Sequence, residues 1–155
     1  MTAPLAGKTM LMSGGSRGIG LAIALRAAAD GANIALLAKT DTPDPRLPGT
    51  IHTAAEQIRA AGGNALAIVG DVRNDDDITE AVMKTQGEFG GIDIVVNNAS
   101  VLSLAGSLDL DAKRYDLMQD VNVRGTFMLS RAAIPILREA ENPHILSLSP
   151  PLNIT

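Results

Sequence analysis

The stretch "MSGGSRGIG", residues 12–20, sets Gly14, Gly18 and Gly20 at the spacing of a backbone turn built to meet an anion. A small residue at the first position lets the chain turn sharply. Glycine at the other two lets main chain approach a phosphate, and the N–H groups and positive dipole end of a following helix would face it. No Lys-Ser/Thr pair follows Gly20, so the loop is not of the Walker A kind and ATPase chemistry is disfavoured. Lys39, in "LLAKTD", stands where a site for NAD would carry an acid for the ribose 2′-hydroxyl, and Arg17 lies within the glycine loop. Two cations there favour a 2′-phosphate, hence NADP(H). NAD(H) stays open, because Asp41 is close by and two solvated surface cations are the plainer reading. A third candidate is Ser149, at the end of "HILSLS" and directly before Pro150 and Pro151. Proline holds its predecessor extended, so Ser149 is either a presented hydroxyl or the start of a loop. His52 and His144 have no carboxylate or second imidazole at ligand spacing, and no metal site is predicted.

Elements of known type must hold these residues in place. The 155 residues are 46% apolar and 19% charged, enough for one ordinary domain with a sizeable core. Apolar runs of strand length alternate with helix-period segments, which points to βαβ units. Strands are expected near Thr9–Ser13, Asn33–Ala38, Ala65–Val69, Ile92–Asn97 and His144–Ser149, with helices near Gly18–Asp30, Ile51–Ala61, Asp75–Phe89 and Asp111–Arg138. The strands are near-continuous in Val, Ile, Leu and Ala, as in a parallel sheet covered on both faces. The fold class is therefore α/β, a doubly wound parallel sheet of Rossmann type with strand order 3-2-1-4-5. "ADGAN", "AAGGN" and "FGGID" supply glycines where helices should end. "KTDTPDPRLPGT", residues 39–50, has three prolines and is long for a βα loop, so a surface lid or rigid spacer is expected.

A formal charge of −4, with no basic run, argues against nucleic acid or an anionic membrane as partner. A small molecule is the expected partner. No stretch reaches about 18 uninterrupted apolar residues, and the N-terminal run is too short for a signal segment. With no cysteine, a reducing, cytoplasmic setting is expected. A C-terminal peroxisomal address is left open.

Four landmarks together resemble the short-chain dehydrogenase/reductase family: Ser13-Gly14-x-x-x-Gly18-Ile19-Gly20, Asp71-Val72, Asn97-Asn98-Ala99-Ser100, and Asn122. The resemblance runs the length of the chain, and "LPGTIHTAAEQI" and "HILSLSPPLN" resemble one narrower group within the family. It implies that the loop residues Ser13, Gly14, Gly15, Ser16, Arg17, Gly18, Ile19 and Gly20 bind the dinucleotide. It also implies that Asp71 and Val72 meet the adenine, and that Asn98 and Ala99 lie near the nicotinamide ribose. Asn97 and Asn98 would brace the central sheet. Asn122 would sustain a proton relay, and Ser149 is a candidate catalytic serine. Ungapped alignment puts Pro150, which has no hydroxyl, at the family's serine position. Ser100 replaces a glycine usual in the family, a change that is tolerable where φ is negative.

The family's chemistry is hydride transfer between nicotinamide C4 and a carbonyl or alcohol carbon, assisted by a Tyr-x-x-x-Lys pair. Tyr115 is the single tyrosine and has Gln119 four positions on. The resemblance therefore implies that the pair lies past Thr155, and that residues 1–155 are the dinucleotide-binding, N-terminal part of a longer reductase domain, incomplete at its C-terminal side. A non-catalytic dinucleotide-binding sensor or assembly module is the alternative. A homodimer or homotetramer is expected of the intact protein, through a face at Ala112, Met118, Val121, Gly125, Met128 and Ala132, although core packing explains the same stripe.

Overall fold

The computed structural model describes residues 3–149. Five parallel strands, β1 (Thr9–Ser13), β2 (Asn33–Ala38), β3 (Asn64–Val69), β4 (Ile94–Asn97) and β5 (His144–Ser147), form one sheet in the order β3-β2-β1-β4-β5. The helices are α1 (Gly18–Ala29), α2 (Ile51–Ala60), α3 (Asp75–Phe89), α4 (Ala112–Met118) and α5 (Thr126–Leu137). The sheet order is the one the sequence predicts, and it puts β1 at the centre, paired with β2 and β4.

Alternation along the strands divides the core in two. Leu11, Ala35, Leu37 and Ile68 point to one face, against Ile78 and Ala81 of α3 and Leu129 and Ala133 of α5. Met10, Met12, Ile34 and Leu36 point to the other, against Ala24 and Ala28 of α1 and Ile51 and Ile58 of α2. With so few aromatics, close approach replaces bulk: alanines on α1 and α2 let those helices lie near the sheet.

The helix ends follow local chemistry. Thr50 and Thr53 form a reciprocal capping box at the start of α2. Asn74 caps α3, whose first turn carries Asp75, Asp76 and Asp77 against the positive dipole end. Gly31, Gly62 and Gly90 follow the first three helices with φ of 92°, 101° and 82°, as the sequence predicts.

Several boundaries differ from expectation: β5 ends at Ser147 rather than Ser149, β3 begins at Asn64 rather than Ala65, and most helix ends move by one residue. Strand β4 starts at Ile94, because the Asp93 carboxylate accepts from the Thr9 N–H (2.8 Å) and from Lys8 Nζ (3.1 Å) beside β1. The segment expected as one helix over 111–138 is helical from 112 to 137 without interruption, but its winding widens to a π-helical turn at Gln119–Gly125, between α4 and α5. There Asn122 turns its side chain onto a neighbouring loop: Val101 N–H donates to Oδ1 (2.9 Å) and Nδ2 donates to Val101 O (2.8 Å). The long 39–50 connection carries a small bridge between Asp44 and Leu47, with Arg46 folded back on Asp44.

Candidate dinucleotide site

At the carboxyl ends of β1 to β4 lies a cavity of about 490 Å³, where the doubly wound sheet reverses its strand order. The loop after β1 forms its floor. Gly14 has φ 73°, and a Cβ there would sit 2.8 Å from Ala99 Cα. At Gly20 a Cβ would sit 2.5 Å from Asn98 Nδ2 and 2.7 Å from Gly14 O. Both glycines therefore let the loop and the segment after β4 touch. Gly18 differs: φ is 56° and nothing lies within 4 Å of its missing Cβ, so the chain there borders open space at the start of α1.

Asn98 locks this arrangement. Its Nδ2 donates to Gly14 O (2.7 Å) and Ser13 O (3.2 Å), while the N–H groups of Asn98 and Ala99 both donate to Ser13 Oγ (3.2 Å each). Ser13, Gly15 and Gly18, named from the sequence as cofactor contacts, are not among the residues lining the cavity. Ser13 is buried under Asn98, and a side chain on Gly15 would overlap Leu36 in the core. Ser13 and Gly15 support the loop from beneath, whereas Gly18 borders open space. Ser16, Arg17, Ile19 and Gly20 do line the cavity, and Ile19 is 68% exposed in its mouth.

Asn97, on the adjacent face, donates from Nδ2 to Ser130 Oγ (3.0 Å) and Ser147 Oγ (3.3 Å), tying β4 to α5 and β5. Its Oδ1 is buried without a partner. Ser100 has negative φ, so it tolerates a side chain where glycine is usual in the family. Ser149 is exposed beyond the last strand, whose ladder continues one bond further as Leu148 N–H donates to Asn97 O (3.0 Å). Pro150, the other half of that question, lies outside the described residues.

The opposite rim carries the charges. Arg17 Nη2 donates to Thr40 Oγ1 (2.6 Å), which pins the loop after β1 to the end of β2. Lys39 Nζ lies 3.1 Å from Asp71 Oδ2. Asp71 is also gripped by Arg73, whose guanidinium and backbone N–H hold its carboxyl far below the usual carboxylate range, with Lys39 adding to the effect against partial burial. Val72 closes the wall and packs on Gly125, where a Cβ would come 2.9 Å from Val72 Cγ2.

Sequence reasoning missed Arg73, Thr40 and Leu117, and named Val121 only as part of an oligomer face; Leu117 and Val121 line the cavity from α4 and the π turn. It also missed the His52 to Asp41 pair at 2.6 Å, made across a turn of loop rather than at ligand spacing. Among the described residues no group of three or more His, Asp or Glu is placed to hold a metal. No described helix is long and apolar enough to cross a membrane.

A doubly wound sheet with a glycine cradle at its switch point defines a dinucleotide-binding class of fold. The short chain dehydrogenase family model matches residues 8–150, and the chain belongs to that family. Hydroxysteroid dehydrogenase-like protein 2 of Bos taurus is 56% identical over 153 residues, covering 99% of this chain and 37% of that protein. The narrower resemblance seen in the sequence is to this group. A short chain dehydrogenase of Mycobacterium thermoresistibile is 58% identical, with a TM-score of 0.93 over 97% of this chain and 54% of that one. The NADH-dependent reductase A1-R′ complexed with NAD is 29% identical, with a TM-score of 0.82, covering 95% of this chain and 61% of that one. The chain thus spans about half the length of the solved relatives. Membership implies a nicotinamide dinucleotide, and the close-packed glycines, open helix start and cationic rim fit one.

Proposed function

We propose that the chain is the dinucleotide-binding part of an NADP(H)-dependent oxidoreductase acting on a small carbonyl or alcohol compound. The observation that carries this is the cradle: Gly14 and Gly20 in contact with the 98–99 backbone, Gly18 open at the start of α1, and Lys39 and Arg17 on the adenosine rim. The bound cofactor would supply hydride from, or accept it at, nicotinamide C4. The chain's residues do the rest: α1 N–H groups and the loop backbone hold pyrophosphate, and Val72 walls the adenine pocket. Asp71 is ionised and accepts hydrogen bonds there. Lys39 and Arg17 would take a 2′-phosphate, with NAD(H) the alternative cofactor.

Asn122 fixes the loop that follows Asn98 through Val101, so its first duty is to hold that wall. Its place in a proton relay is part of the proposal, as is Ser149 as a substrate-orienting group. The acid–base tyrosine and lysine are proposed to follow Thr155 in a longer protein, since Tyr115 is half exposed on α4 and is not among the cavity-lining residues.

For the intact protein we propose a homodimer or homotetramer through α4 and α5. The stripe expected to form that face is partly spent, because Val121 and Gly125 are buried and Met128 and Ala132 pack on the core. Tyr115, Val123, Phe127 and Ile134 are the exposed apolar residues of that surface. A cytoplasmic setting belongs to the same proposal. Calorimetric titration with NADPH and NADH tests the cofactor: tighter NADPH binding is expected, and binding of neither would overturn the reading. In the longer protein, NADPH consumption with a panel of carbonyl compounds separates an enzyme from a non-catalytic binding module.

A further inference from the structure

Asp71 has two cationic partners of unequal quality. Arg73 Nε lies 3.1 Å from Oδ1 and 3.0 Å from Oδ2, Nη2 lies 2.6 Å from Oδ2, and the Arg73 backbone N–H donates to Oδ1 at 3.0 Å. Lys39 reaches the same carboxylate through one contact, at 3.1 Å, on the oxygen that Arg73 already holds closest. The planar fork of arginine suits a carboxylate, whereas an ammonium on a flexible stem re-aims at little cost. The Lys39 side chain is 64% exposed, and that of Arg73 37%. Arg73 is itself anchored, since its carbonyl accepts from Arg124 Nη1 (3.0 Å) while Arg124 Nη2 pairs with Asp75 (2.7 Å). Lys39 lines the cavity; Arg73 stands behind Asp71 and does not.

We propose that Arg73 is a positioning residue for cofactor choice: by occupying Asp71 it leaves the Lys39 ammonium available to a nucleotide 2′-phosphate. This rests on reading the rim as a 2′-phosphate site. Arg17 and Lys39 line that rim with Asp71, and Arg73 stands behind it, so three cations face one carboxylate. Without Arg73 the Asp71 carboxylate is left to Lys39, and a 2′-phosphate must compete with it for that ammonium.

The test compares adenosine 2′,5′-bisphosphate with adenosine 5′-monophosphate, which differ by the 2′-phosphate alone, in calorimetric titrations of the wild type and of Arg73→Gln, Arg73→Lys and Lys39→Gln. The wild type is expected to prefer the bisphosphate by about tenfold, on the order of 1.4 kcal/mol. Lys39→Gln should remove most of that preference, Arg73→Gln should lower it several-fold with less effect on the monophosphate, and Arg73→Lys should restore part of it. A readout without nucleotide accompanies it: the ¹H–¹⁵N signal of the Lys39 ammonium should gain protection from solvent in Arg73→Gln, as Lys39 becomes the sole cation on Asp71. A wild type that binds both nucleotides equally overturns the 2′-phosphate reading and this role together. A wild-type preference that survives unchanged in Arg73→Gln, or an unchanged Lys39 signal, overturns the role of Arg73 alone.

Discussion

At the scale of single residues, the site depends on atoms that are missing as much as on those present. Gly20→Ala would place a methyl group 2.5 Å from Asn98 Nδ2 and 2.7 Å from Gly14 O. The loop must then shift off the 98–99 segment, a loss of about 1–3 kcal/mol for forcing a side chain into packed space. Urea denaturation should show the loss and dinucleotide titration should show weakened binding; a variant matching the wild type in both would contradict the cradle. Asp71 gives a pH prediction. Its folded-state ionisation lies far below the ordinary aspartate value of 3.8, so its pairing stabilises the fold fully above that value and progressively less as pH falls below it. The stability advantage of wild type over Asp71→Asn should therefore be largest near neutrality and shrink toward pH 3, as read from urea midpoints. The glycines were legible because their spacing is a backbone requirement. Arg73 was not, because "DVR" reads as a strand end before a helix cap and says nothing of which charge answers which.

At the scale of elements, 111–138 is the instructive case. Its apolar period runs on without a capping signal, so sequence reads one helix. The π turn at Gln119–Gly125 is tied to a loop 21 residues upstream of Asn122, where the Val101 backbone takes both polar ends of that side chain. Asn122→Ala should cost about 1–3 kcal/mol, since two bonded backbone groups lose their partner. Hydrogen exchange at the Val101 amide should speed up more than at α3 amides; equal protection would mean that the loop is held by something else. Thr50→Ala, at the capping box of α2, should cost about 1 kcal/mol by the same denaturation assay. That cap is made within one short stretch, "PGTIHT", although the sequence reading did not single it out, whereas the two halves of the Asn122 clamp meet only once the sheet has brought β4 beside α5.

At the scale of the whole molecule, stability is graded across the sheet. Strand β1 is buried throughout and flanked on both sides, while β5 is an edge strand with all four residues exposed, Ile145 at 44% and Leu146 at 51%. Amides of β5 should exchange faster than those of β1 and β2 in native-state hydrogen exchange, because opening an edge strand exposes little apolar surface. Equal protection across the sheet would show that another surface covers that edge. By itself the sequence determined the strand order and the glycine loop at the end of β1, because both follow from short-range rules: periodicity, chirality of crossovers and backbone sterics. Only the tertiary structure decided which loop residues face the cavity and which support it, where the helix of α4 and α5 widens to a π turn, and which cation Asp71 takes. Those choices are made by contacts between segments far apart in the chain, where packing and charge neutralisation, rather than local preference, set the lowest free energy.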